Sequence, residues 1–181
     1  PLPADGEKPA AAPFFYRRAR GYVPRPVMLP EVWGTDLPCV LGAGGELKAT
    51  LCLTRGNEAF VSQHVGDLEN APTFGFYEEV ARHLQDLLEV RPAAVVCDLH
   101  PDFLSTRHAT ELARCEGLPL WHLQHHAAHA ASVLTEHGHT GPALALTLDG
   151  TGLGTDKSIW GGELLFMELD APRWQRLGRL A

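Results

Sequence analysis

Six of the chain's ten histidines fall between residues 122 and 139, and two of them, His125 and His129, stand four apart in the run Gln124-His125-His126-Ala127-Ala128-His129. On an α-helix, residues i and i+4 lie one above the other on a single face, so these two imidazoles can share one divalent metal ion. His126 is rotated by about 100° from His125 and should point elsewhere. The run lacks the glutamate of an HExxH zinc-protease motif, and a histidine-rich surface helix end is the plain alternative.

Asp149 strengthens the metal reading. It closes the apolar run ALALTLD and is followed by Gly150, Thr151 and Gly152. A carboxylate at a strand end before flexible backbone suits a metal or a phosphate. An Asp-Gly hairpin turn explains the same residues, but Gly152 and Gly154 extend the loop beyond what a two-residue turn needs. A His-His-Asp set leaves coordination positions open, as catalytic sites do. Its oxygen donor keeps iron, zinc, manganese and magnesium all in play.

Other polar residues sit at places where ligands gather. Asp98, in Asp98-Leu99-His100-Pro101, ends an expected parallel strand. It either positions a substrate or metal ligand, or caps the following helix. Lys48, in GAGGELKAT, lies beside a glycine turn where it can meet a phosphate or a carbonyl oxygen, or simply be solvated. His64 and Asp67 to Asn70 line a site or a loop. Gly161 and Gly162 after Trp160 mark a close backbone approach or a β-bulge.

The elements that must position these groups follow from periodicity. Residues 1–13 read as a Pro/Ala-rich leader, and 14–30 as an extended arm, since prolines are too closely spaced for a helix. Three apolar segments follow, 37–44, 46–54 and 58–66, separated by short glycine-bearing connections that favour an antiparallel meander. A helix is expected over 74–89 with Phe76, Val80, Leu84, Leu87 and Leu88 on its inner face. A buried strand (93–100), a helix (104–116, capped by Ser105 or Thr106), a strand (118–123) and an alanine-rich helix (125–137) come next. Strands at 143–149 and 159–169 then flank the turn DGTGLGTD.

This β-β-β-α-β-α-β-α order is that of an α/β, ribonuclease-H-like lobe with a mixed sheet, the unit paired in actin-like and sugar-kinase-like proteins. The expected division is an arm over 1–30, a first lobe over 31–140, and the start of a second, incomplete lobe over 141–181. A complete small α/β domain with an added hairpin is the other arrangement open to this pattern.

Composition narrows the classes. The chain has 181 residues, 45% hydrophobic and 20% charged, with formal net charge −7. That is globular composition, and the acid excess argues against a nucleic-acid partner. Arg17, Arg18, Arg20 and Arg25 are a local basic exception. Cys39, Cys52, Cys97 and Cys115 form no CxxC pair and read as free thiols in a reducing compartment, three of them buried. No membrane span and no signal-peptide pattern is seen, so a cytoplasmic protein is expected.

On these residues the chain resembles the carbamoyltransferase of NiFe-hydrogenase maturation, the HypF family. The stretches that carry the resemblance are RRARGYVPRPVMLP, LGAGGELKATLCLT, AFVSQHVGDLEN, CDLHPDFLSTRHA, LQHHAAHAAS, LDGTGLGTD and IWGGELL, in order from about residue 17 to 165. The family combines an acylphosphatase-like module, zinc-finger segments, a YrdC-like module and a two-lobed domain similar to the tRNA threonylcarbamoyl transferase. The resemblance covers the join to that last domain and its first half. It implies His125, His129 and Asp149 as metal ligands for iron, zinc or magnesium, with Asp149, Gly150, Thr151 and Gly152 near ATP or carbamoyl-adenylate. A histidine frequent in the family is replaced by Ala127, which is not among the implied ligands. The implied activity is ATP-dependent carbamoyl transfer from carbamoyl phosphate to the C-terminal cysteine thiolate of a hydrogenase-maturation partner, with Lys48 neutralising charge on the adenylate. A small-molecule O-carbamoyltransferase, the tRNA-modifying enzyme, and a non-catalytic metal-binding module are the competing readings. An unpaired edge near 143–169 suggests a homodimer.

Overall fold

The computed structural model describes residues 25–180. The expected leader, most of the arm, and Arg17, Arg18 and Arg20 lie outside the described residues. The end of the arm is extended: β1 (Val27–Met28) pairs antiparallel with β4 (Glu58–Val61).

Six strands form the first sheet in the order β1-β4-β3-β2-β5-β6, where β2 is Val40–Gly42, β3 Cys52–Arg55, β5 Ala94–Asp98 and β6 Leu120–Leu123. The meander β2-β3-β4 is antiparallel, while β5 runs parallel to both β2 and β6. The expected α/β mixed sheet is therefore present. Parallel pairing demands crossovers, and the helices α1 (Ala71–Leu88) and α2 (Leu104–Glu116) supply them. Leu41, Leu51, Leu53 and Phe60 of the meander pack on Tyr77, Val80, Leu84 and Leu88 of α1. On the parallel part, Ala43, Val95 and Cys97 pack on Ala109 and Ala113 of α2. Burying a large side chain of this kind contributes about 1.5–3 kcal/mol.

Three local expectations need correction. The β2–β3 connection is not a tight turn at Gly44-Gly45, because pairing stops at Gly42 and resumes at Cys52. The intervening chain is held by Glu46, which is buried and accepts the Ser105 N–H, and by Tyr77, whose hydroxyl donates to Ala43 O at 2.6 Å. In α1, Phe76 and Leu87 are exposed and Tyr77 is fully buried. The helix begins three residues earlier than expected, at Ala71, and turns its inner face toward that hydroxyl bond. Neither Ser105 nor Thr106 caps α2: the N-cap is Phe103 without a side-chain bond, and Ser105 lies inside the first turn.

Helix α3 (His125–Glu136) follows β6 directly and packs through Ala130 on Leu165 and Met167 of a second, three-stranded antiparallel sheet. That sheet consists of β7 (Ala143–Leu153), β8 (Ile159–Glu168) and β9 (Arg173–Arg179). It exceeds the expected hairpin in two ways. β7 does not stop at Asp149: the register shifts between Leu148 and Gly152, and pairing resumes at Gly152↔Trp160. The turn lies later, where Asp156 Oδ1 accepts the Ser158 N–H and the Trp160 Nε1–H and Lys157 takes a left-handed φ of 65°. The strand β9 adds a third member. Its half-buried side carries Arg176, which pairs with Glu163 Oε2 at 2.6 Å, so charge occupies a position where an apolar residue marks most strands.

Alternation along β7 turns Ala145, Thr147 and Asp149 toward α3. Leu144, Leu146 and Leu148, on the opposite side, are 69%, 57% and 72% exposed. Among the described residues no helix is long and apolar enough to cross a membrane. All four cysteines are free. Burial pushes the thiols of Cys52 and Cys97 up to about 11, which leaves little thiolate at neutral pH.

Candidate metal centre

The site begins at the N-terminus of α3. Gln124 is its N-cap, an unusual residue there: its Oε1 accepts the Ala127 N–H at 2.9 Å. Its Nε2 donates to Leu153 O of β7 at 3.2 Å and lies 3.0 Å from His126 Nδ1. One side chain thus satisfies an orphan amide of the helix and pins the helix to the second sheet. Gly152 completes the junction, since a β-carbon there would fall 3.0 Å from His125 Cβ.

From this start His125 and His129 rise on one face, their rings edge to face with centroids 4.7 Å apart. The β7 alternation brings Asp149 to them. His125 Nε2 is 3.2 Å from His129 Nε2 and 3.0 Å from Asp149 Oδ2, and His129 Nε2 is 3.8 Å from the same oxygen. Asp149 Oδ2 is buried without a hydrogen-bond partner, while its Oδ1 accepts the Gly150 N–H at 2.8 Å. Three electron-pair donors therefore converge, all within 4.8 Å of one another, and one of them is orphaned. Tetrahedral metal–nitrogen bonds of about 2.0–2.1 Å imply donor separations of about 3.3 Å, which these distances bracket. The donor set fits a divalent cation.

Asp98 reaches the same place from the first sheet. It is buried, its Oδ2 lies 2.7 Å from His125 Nδ1, and its Oδ1 accepts the His100 N–H at 2.9 Å. Of the two roles open to it in the sequence, it serves the histidine and not the cap of α2. The hydrogen bond to Asp98 is the main cause that raises the His125 pKa above the ordinary imidazole value. Burial lowers that of His129, helped by the neighbouring His125, and burial also lowers that of His126. His126 is fully buried and turned toward Trp160, with ring centroids 6.3 Å apart, as the helical geometry requires.

A cleft of about 350 Å³ opens beside the donors, lined by Gly44, Gly45, Thr50, Asp98, His125 and His129 among others. Gly45 passes so near that its β-carbon would meet His125 Cε1 at 3.6 Å. Lys48 is not brought in: it is exposed in the turn after Glu46 and does not line this cleft. Gly150 and Thr151 are exposed at the bulge, and His64, Asp67, Glu69 and Asn70 are surface residues of the loop before α1. Gly161 donates its N–H to Glu163 Oε1, so the Gly161-Gly162 pair serves the sheet. The capping role of Gln124 and the buried charge of Glu163 were not legible in the sequence. The position of Gln124 just before a helical run was the only available signal, and glutamine is a rare cap.

The two-sheet architecture has known counterparts. Residues 35–136 match the HypF Kae1-like domain, and residues 145–181 match the second subdomain of the carbamoyltransferase Kae1-like domain. A crystal structure of full-length HypF in a phosphate- and nucleotide-bound form superposes with a TM-score of 0.82 at 38% identity, covering 91% of this chain and 21% of that one. YeaZ from Pseudomonas aeruginosa shares the fold, with a TM-score of 0.52 at 16% identity over 80% of this chain and 67% of that chain. The family matches and the superposition together define a Kae1-like domain of the carbamoyltransferase type. The chain belongs to the HypF family. The carbamoyltransferase HypF2 of Cupriavidus necator is 56% identical over 97% of this chain, which spans 21% of that relative's length.

Proposed function

We propose that this chain is the metal-holding portion of an ATP-dependent carbamoyltransferase that acts in making the cyanide ligands of NiFe hydrogenase. The observation that carries the reading is the convergence of His125 Nε2, His129 Nε2 and the orphaned Asp149 Oδ2 in a family whose relatives are named carbamoyltransferases. The phosphate- and nucleotide-bound form of a related full-length HypF supports a nucleotide as co-substrate.

Carbamate released from carbamoyl phosphate attacks ATP, giving carbamoyl-adenylate and pyrophosphate. The cysteine thiolate of the partner protein then attacks the carbamoyl carbon, a C–S bond forms, and AMP leaves with the electron pair. A divalent metal, when bound, supplies positive charge that holds and polarises the adenylate. The chain's own residues do the positioning. His125 and His129 present their Nε2 atoms from rigid helix, Asp149 brings a negative charge from the second sheet, and Gly44 and Gly45 keep the adjoining cleft free of side chains.

The test is the metal content of protein purified without chelator, against a His125→Ala/His129→Ala double variant, followed by a carbamoyl-transfer assay with a cysteine-terminated acceptor in the full-length protein. Stoichiometric metal in the native chain, lost together with transfer in the variant, is expected. Equal metal content in the two proteins, or transfer undiminished in the variant, overturns the reading.

A further inference from the structure

His125 is held at both ring nitrogens. Nδ1 faces Asp98 Oδ2 at 2.7 Å, and Nε2 faces Asp149 and His129. Asp98 is 8% exposed and is delivered by sheet register: it ends β5 opposite Leu123, two residues before His125. The Leu99 N–H bonds Leu123 O at 3.1 Å just beyond that pair and locks the register. Both ring nitrogens approach a carboxylate, but only the Nδ1–Asp98 approach has hydrogen-bond geometry, while Asp149 Oδ2 has no hydrogen-bond partner. An ionised carboxylate only accepts hydrogen bonds, so the proton of a neutral His125 belongs on Nδ1, toward Asp98.

We infer that Asp98 is a positioning residue that selects the Nδ1–H tautomer of His125 and so leaves the Nε2 lone pair free for a metal ion. The metal part of this rests on the function proposed above. The tautomer part stands on the geometry alone.

The arrangement makes an unusual demand on the isosteric replacement. Asp98 Oδ1 accepts the His100 N–H, so an asparagine at 98 must keep its carbonyl oxygen at that position. Its amide NH₂ then falls where Oδ2 was and donates to His125 Nδ1. The ring proton moves to Nε2, onto the donor atom itself. Asparagine should therefore harm the site more than alanine, which imposes no tautomer. A merely structural Asp98 predicts the reverse, because asparagine preserves shape and alanine does not.

The experiment compares the native full chain with Asp98→Asn and Asp98→Ala. Long-range ¹H–¹⁵N spectra of the metal-free proteins, taken where the imidazoles are neutral, read the His125 tautomer, and chelator competition reads zinc affinity. The expected result is Nδ1–H in the native chain, Nε2–H in Asp98→Asn, and a mixture in Asp98→Ala. Zinc affinity should fall by about 10–100-fold in Asp98→Asn, with a smaller loss in Asp98→Ala and unchanged helical circular dichroism in Asp98→Asn. An Nε2–H His125 in the native chain overturns the inference without any variant. So does an Asp98→Asn protein that keeps Nδ1–H or binds zinc as the native chain does. If the tautomer inverts in Asp98→Asn but the native chain binds no zinc, the tautomer role of Asp98 is upheld and the metal reading fails.

Discussion

Gly152 lies against His126 so closely that a β-carbon on residue 152 would sit 2.7 Å from His126 Cε1. His126 is fully buried and has nowhere to retreat. The contact sets the distance between β7 and α3, and with it the distance from Asp149 to the two histidines.

Gly152→Ala should therefore force the strand away from the helix. A loss of about 1–3 kcal/mol in urea unfolding is expected, typical of an overpacked junction, together with weaker metal binding by titration. Gly150→Ala is the control. Its β-carbon meets nothing within 4 Å, and both properties should stay near those of the native chain.

Gln124→Ala removes the cap of α3 and leaves His126 Nδ1 and Leu153 O without their partner. The cost should be about 1–3 kcal/mol in thermal or urea unfolding, since the groups left behind are buried. Faster amide exchange confined to the first turn of α3 and the end of β7 would locate the damage.

The Glu163–Arg176 pair gives the second sheet an acid-sensitive component. The Arg176 hydrogen bonds hold the Glu163 carboxyl below the ordinary carboxylate value. A depressed carboxylate stabilises the fold fully above its unfolded value, near 4.5, and loses that contribution as pH falls through the folded value. Arg176→Met strands a carboxylate that is 1% exposed and should cost roughly 3 kcal/mol at neutral pH. The deficit should shrink on acidification, as the stranded group takes up a proton. Urea midpoints of the two proteins measured across about pH 3 to 7 check the sign.

Zinc added to metal-free chain should raise its unfolding temperature, by an amount equivalent to about 2.7 kcal/mol at one hundred times the dissociation constant. EDTA should reverse the shift. The His125→Ala/His129→Ala protein should show neither effect in differential scanning calorimetry.

The site was more legible in the sequence than its setting. His125 and His129 are placed by helical geometry alone, and a spacing of four survives whatever the helix packs on. Asp149 was legible as a strand-end carboxylate, yet its strand continues. The bulge at residues 149–151 lets the ladder resume at Gly152, a pairing that only Trp160 across the sheet reveals. Tyr77 took the inner face of α1 from Phe76 because its hydroxyl has an acceptor in Ala43, 34 residues away. β9 escaped notice because the charge of Arg176 is neutralised by a residue on another strand. In each case the deciding partner lies on a different element, and the pattern within one element carries no information about it.

His125 also has a mechanical meaning. One side of its ring is 2.7 Å from a carboxylate of the first sheet, and the other is 3.0 Å from a carboxylate of the second. An imidazole is a rigid spacer that cannot lengthen. Any shearing of the two sheets must break contact at one of its ends, so a ligand at Nε2 stiffens the junction between them. Occupancy of this small site thus also braces one sheet against the other.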